Sequence, residues 1–142
     1  MEETDLELRR RTYALFVEHG RAPAAGELGD ADEVVGGWRR LAAEHALVLN
    51  PGTDELRMLN PFSVVPTAYR VHAGGRWWYG NCAWDAVGIC AALHTDGRIE
   101  TSCPDCGERL AVEVRDERVD DESLLFHVLV PAAHWWDDIV FT

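Results

Sequence analysis

At 142 residues, 47% apolar and 27% charged, the chain has the size and composition of one globular unit able to bury a core. No apolar run approaches the roughly 18 residues that span a bilayer, and the start, MEETDLELRR, lacks the apolar stretch of a secretory leader, so a cytoplasmic protein with no membrane partner is expected. The formal charge is −12 and all 13 basic residues are arginines; both halves are acidic and repel phosphate backbones, which argues against nucleic acid as a partner.

Leu6 to Glu18 carries apolar residues at helical spacing, among them Leu8, Tyr13 and Phe16, and stops at His19-Gly20. Pro23 to Leu28 predicts a short second helix. Asp32 to His45 predicts a third, capped by Asp30, with Val34, Val35, Trp38, Leu41 and Ala42 inward. Leu47–Leu49 and Leu56–Leu59 flank the turn Asn50-Pro51-Gly52-Thr53 and read as a hairpin. Three helices and a hairpin make a winged-helix-like unit over residues 1–60. Only Arg39 and Arg40 cluster on the third helix, so this unit reads as a packing module rather than a DNA reader.

Asn60-Pro61-Phe62 marks a boundary, and residues 61–142 read as a second, α+β domain. Tyr69–His72 and Arg76–Tyr79 predict strands joined by Ala73-Gly74-Gly75. Asn81–Leu93 predicts a helix, and Arg98–Thr101, Leu110–Val114 and the apolar run Leu124–Val130 further strands, the last one buried with a hydrogen-bonded core histidine at His127. Pro131–Asp138 predicts a short helix and Ile139–Phe141 the start of another strand. The expected class is α+β, with a mixed sheet.

Chemistry concentrates in Gly80-Asn81-Cys82-Ala83-Trp84-Asp85. A helix beginning near Asn81 puts Cys82 and Asp85 at i and i+3 on one face. A helix N-terminus favours a thiolate, so a lowered Cys82 pKa is expected. A thiolate beside a carboxylic acid supplies a soft nucleophile and a proton carrier; the plainer alternative is a buried, inert cysteine with Asp85 as a cap. Clustered cysteines in a reducing setting favour metal or thiol chemistry over disulfides. Cys103-Pro104-Asp105-Cys106-Gly107 is a knuckle that can point two thiols at one ion, but the thiols left to complete a Cys₄ zinc site, Cys82 and Cys90, make a poor second knuckle. Cys90, in an apolar stretch, reads as a small core residue. Trp77-Trp78 and Trp135-Trp136 read as core and pocket wall.

The run Trp77-Trp78-Tyr79-Gly80-Asn81-Cys82-Ala83-Trp84-Asp85, followed by a small-apolar helix and Thr101-Ser102-Cys103-Pro104, resembles the core of the organomercurial (alkylmercury) lyases, most strongly over residues 60–115. The resemblance implies protonolysis of a carbon–mercury bond with no redox cofactor: Cys82 binds the metal, Asp85 relays a proton to the carbon, and cellular thiols remove mercury(II). It also implies a second active-site cysteine late in the chain, which the tail His134–Thr142 approaches and which would fall at or just beyond Thr142. A natural short homologue, a truncated chain and a stop codon encoding selenocysteine are the alternatives there. Candidate metal-binding residues are therefore Cys82, Asp85, Cys103 and Cys106, with mercury(II) as substrate ion and a structural zinc as the lesser alternative. The rival functional reading is a non-enzymatic soft-metal or zinc-binding sensor built on the same cysteines, and a third is an inactive homologue kept for protein contacts.

Overall fold

A computed structural model describes residues 2–141 of the chain. Helix α1 spans Glu3–His19, with Glu3 and Asp5 in its first turn, where the helix dipole favours acids. It ends at Gly20, whose φ of 68° allows its N–H to donate to the Phe16 carbonyl at 2.8 Å. The helix expected over residues 23–28 is a single 3-10 turn, Ala25–Glu27, because Pro23 before it, Gly26 within it and Gly29 after it leave too little uninterrupted chain for more. Helix α2 spans Ala31–Ala43, and Asp30 caps it as expected, accepting from the N–H groups of Asp32 and Glu33, both at 3.1 Å.

The two helices close on each other at Gly37, where a Cβ would stand 2.3 Å from Leu8 Cδ2. Beside that contact the buried Asp5 carboxylate takes both arms of the Arg40 guanidinium, at 2.7 and 3.0 Å. The buried Trp38 indole donates to Thr12 Oγ1 at 3.0 Å, and that hydroxyl donates on to the Leu8 carbonyl at 2.8 Å. Every polar atom brought inside by this pairing has a partner, which is what burial demands of it.

Eight strands follow: β1 Val48–Leu49, β2 Leu56–Leu59, β3 Phe62–Ser63, β4 Tyr69–Ala73, β5 Arg76–Gly80, β6 Gly97–Ser102, β7 Arg109–Arg115 and β8 Arg118–Val119. They form one sheet in the order β1-β2-β3-β5-β4-β6-β7-β8. The expected α+β class holds. The sheet expected to be mixed has only antiparallel pairings, since most of its neighbours are joined by tight turns. The boundary expected at residues 60 and 61 falls between β2 and β3, which pair through Met58–Ser63 and Leu59–Phe62. In the β4–β5 hairpin, Gly74 and Gly75 sit at φ 60° and 73°, the left-handed pair that a type I′ turn requires. The last helix, α3, covers Ala83–Leu93 between β5 and β6 and buries Ala86, Ile89 and Cys90. Cys90 is thus the core residue the sequence predicts.

One hydrophobic cluster runs from α1 and α2 through the sheet to α3. At its centre Phe16 of α1, Phe62 of β3 and Trp78 of β5 form a triangle of rings, with centroids 5.2 to 5.7 Å apart, within the range of favourable tilted contacts. Arg76, at the start of β5, donates to the Val17 and Glu18 carbonyls at 2.9 Å and so finishes α1 from outside.

Three sequence expectations fail in the C-terminal third. Leu124–Val130 forms no strand, and Leu125 and Leu129 are 94% and 81% exposed. His127 is exposed rather than in the core. Ile139–Phe141 is a turn, while the short helix expected over 131–138 appears as a 3-10 segment, Ala132–Asp137. An apolar run becomes a strand only where a neighbouring strand offers its ladder; among the described residues the sheet ends at the two-residue β8. Trp77 and Trp78 part company for a simpler reason. Adjacent residues on a strand face opposite sides, so Trp78 is core while Trp77 is 44% exposed, under Arg70 and beside His72.

Leu41 has no exposed surface, so Leu41→Ala is expected to lower the unfolding free energy by about 2–5 kcal/mol. Leu125→Ala is expected to change it by less than about 0.5 kcal/mol, as for a solvated position. Urea unfolding followed by tryptophan fluorescence measures both, and a large loss at Leu125 would mean that the 124–130 segment is buried after all.

Candidate active site

Strand β5 delivers the chain to α3 through a turn of two residues. At Gly80 a Cβ would lie 2.8 Å from the Ala86 nitrogen and 2.9 Å from its Cα. These are backbone atoms that cannot swing away, so only glycine lets the first turn of α3 sit against the end of β5. Asn81 then braces the turn: its Nδ2 donates to Asn60 Oδ1 at 3.1 Å and to the Pro61 carbonyl at 3.4 Å, linking the site to the β2–β3 connection.

Cys82 is the N-cap of α3, in extended backbone at φ −145° and ψ −177°, and its carbonyl accepts the Ala86 N–H at 2.9 Å. Asp85 lies three residues on, in the first turn. This is the spacing of a capping box, with a thiol where serine or threonine is usual. Both residues are half-buried, and their side chains feel each other directly.

The expected low-pKa thiolate at Cys82 is not found. Burial pushes the Cys82 thiol above its ordinary value. The amides of Asp85 and Trp84 at the helix start pull it down, but the Asp85 carboxylate adds to the upward push. Asp85 is raised as well, again chiefly by burial, with Asn81 and Cys82 pulling the other way. At the site both groups therefore hold their protons more firmly than in water. The pair is a protonated thiol beside a carboxyl of increased proton affinity.

Two further residues stand near the site, Tyr13, whose only sequence signal is helical periodicity, and Trp84, which belongs to the run that carries the family resemblance. Tyr13 of α1 has its phenol pushed up by burial, and the charge of Asp85 contributes in the same direction. Its hydroxyl donates to the Ala46 carbonyl at 3.3 Å and accepts from Arg9, whose guanidinium lies 4.4 Å over the ring. On the outer side, Trp84 is 68% exposed, with its ring 6.1 Å from Phe126. Asn81 is missed too, although it belongs to the quoted run, because its partners are brought to it by folding.

Cys103 and Cys106 lie elsewhere, in the turn between β6 and β7. Cys103 is half-buried and Cys106 exposed, and both thiols are free. Among the described residues no three His, Cys, Asp or Glu side chains gather as a metal-binding group. The structure thus brings the four candidate metal residues together as two pairs, Cys82 with Asp85 and Cys103 with Cys106. The position expected for a second active-site cysteine, Thr142 or beyond, lies outside the described residues.

The alkylmercury lyase family, MerB, matches residues 62–142. The chain belongs to this family. The mercury-bound form of MerB2 is similar among solved structures, at a TM-score of 0.66 and 22% identity, covering 85% of this chain and 60% of that one. At that identity the likeness speaks for the fold, and this chain spans 60% of the length of that neighbour. No curated protein matches. The family match contains β3–β8, α3 and the Cys82–Asp85 pair, while α1 with Tyr13 precedes it. No helix among the described residues is long and apolar enough to cross a membrane.

Gly80→Ala is expected to force α3 away from β5, costing about 1–3 kcal/mol of stability and increasing the alkylation rate of Cys82 as its cover loosens. A variant with native stability and an unchanged rate would remove Gly80 from the construction of the site. Thiolates are the species that alkylate, so pH profiles separate the cysteines. Cys82, raised by burial, is expected to react with iodoacetamide only at a higher pH than Cys103, which is lowered. Peptide mapping of the labelled chain reads the order, and a reversed order contradicts the account of Cys82 given above.

Proposed function

We propose that the chain cleaves carbon–mercury bonds by protonolysis, with Cys82 binding the metal and Asp85 delivering the proton. The observation that carries this reading is the half-buried pair at the first turn of α3 in a chain of the alkylmercury lyase family. Mercury(II) is a soft ion that prefers sulfur to oxygen or nitrogen. As Cys82 Sγ bonds to the mercury of an organomercurial, its proton passes to the neighbouring Asp85 carboxylate. That carboxyl then gives the proton to the carbon as the carbon–mercury bond breaks. A hydrocarbon leaves, mercury(II) stays on sulfur, and Asp85 is again a carboxylate.

The raised proton affinities of both groups suit this sequence. A thiol that keeps its proton until metal displaces it supplies that proton where it is needed. A carboxyl in a poorly solvated setting both accepts and surrenders it with a small difference in driving force. No redox change occurs, so the reaction asks for no electron carrier. Reduced cellular thiols to remove the product ion, and with them a cytoplasmic setting, are part of the proposal, as is a small organometal as the substrate.

Incubation of the full chain with an organomercurial and excess thiol is expected to release the corresponding hydrocarbon, measured in the headspace by gas chromatography. Cys82→Ser and Asp85→Ala are each expected to reduce the rate by at least about 100-fold, the scale of losing a nucleophile or a positioned acid. Stoichiometric uptake of the organomercurial without hydrocarbon would instead favour the soft-metal-binding protein.

A further inference from the structure

The turn between β6 and β7 has chemistry that the Cys82–Asp85 pair does not use. Its sequence is Cys103-Pro104-Asp105-Cys106-Gly107, and it is closed by two backbone bonds. The Cys103 N–H donates to the Glu108 carbonyl at 2.8 Å, and the Gly107 N–H donates to the Cys103 carbonyl at 2.9 Å. Gly107, at φ 74°, takes the left-handed conformation that reverses the chain with little strain. The result is a knuckle in which the amides of Cys106 and Asp105 converge on the Cys103 sulfur, with the Cys106 thiol beside it. All three influences draw the Cys103 thiol below its ordinary value.

The strand registers place this knuckle. Gly80 pairs with Tyr69, and Arg70 pairs with Glu100, so the ends of β5, β4 and β6 share one edge of the sheet. Gly80 leads from that edge to Cys82, and Ser102 leads from it to Cys103. Two strand spacings, about 10 Å, separate the points of departure.

We propose that Cys103 and Cys106 form a two-thiolate binding site for mercury(II) that receives the ion after cleavage. Zinc in a structural site calls for four ligands, and no third metal-binding side chain joins this pair among the described residues. Mercury(II) is satisfied by two sulfurs, so the knuckle suits it as it stands. Two thiols on one turn also present a high effective concentration to a metal already held by one of them. The transfer is a ligand exchange. Mercury bridging Cys82 and a small cellular thiol bonds to Cys103 and Cys106, whose two protons pass to the Cys82 sulfur and to the departing small thiol. No electrons move. The receiving role rests on the cleavage proposed above; the binding does not.

Titration of reduced full-length Cys82→Ser protein with mercuric chloride tests the binding without any carbon–mercury bond. The ultraviolet sulfur-to-mercury charge-transfer band is expected to saturate at one equivalent and to survive a roughly 100-fold excess of glutathione, since chelation outcompetes single thiols. Adding Cys106→Ser, an exposed change that spares the core, or Cys103→Ser is expected to weaken retention against glutathione at least about 10-fold. Equal retention with and without Cys106 overturns the proposal, even if the wild-type chain releases hydrocarbon. Tight retention that depends on both thiols sustains the binding site even if no hydrocarbon is released, in which case the lyase reading and the receiving role fall together.

Discussion

The close approach of Gly80 to Ala86 is the constraint that gives this molecule a site. Strand β5 is tied down along its whole length. Arg76 at its start caps α1, Trp78 fills the aromatic triangle with Phe16 and Phe62, and its backbone is paired on both sides by β3 and β4. A strand held that firmly fixes where α3 begins. The absent side chain at Gly80 then brings the helix start against the strand end, 2.8 Å from where a Cβ would stand. Cys82 and Asp85 inherit their positions from that contact, and their half-burial from the layers packed around it. The N-terminal helices contribute through the same strand, which is how Tyr13 of α1 comes within electrostatic reach of Asp85.

Burial and backbone amides compete at each thiol, and the balance differs. Cys82 and Cys103 both face amides two and three residues ahead of them in the chain, those of Trp84 and Asp85 in one case and of Asp105 and Cys106 in the other. For Cys82 desolvation is the larger effect and a carboxylate reinforces it, so the thiol is raised. For Cys103 the amides and the neighbouring thiol outweigh desolvation, and the thiol is lowered. A helix N-terminus is therefore no guarantee of a thiolate; what decides is how much water the same fold removes. The difference matches the two roles proposed. A group that must carry a proton into the reaction gains from being raised, and a group that must hold a metal ion gains from being lowered.

The site is legible in the sequence to the extent that it is local. The spacing of Cys82 and Asp85 and the knuckle at Cys103–Cys106 are properties of a few consecutive residues. The direction of the Cys82 shift is not local. It depends on the layers that fold over α3, and the dipole argument taken alone gives the wrong sign. Asn81 and Tyr13 escape notice for the same reason: the partners of Asn81, Asn60 and Pro61, and the neighbour of Tyr13, Asp85, are brought to them by tertiary structure.

The fold follows the same division. Asp30 as a cap, Gly20 as a helix stop and Gly74-Gly75 as a hairpin turn are chemical signals, each confined to two or three residues, and each holds. The run Leu124–Val130 is a signal of another kind. Continuous apolar character says that a segment gains from leaving water; it does not say against what. A buried strand needs a ladder on at least one side and a layer on both faces. The described part of the sheet ends at β8, two residues long, and α3 lies between β5 and β6 in the chain, packing against β3, β4, β5 and β6. The segment instead lies exposed, held near the start of α3 by the approach of the Phe126 ring to Trp84, 6.1 Å between centroids.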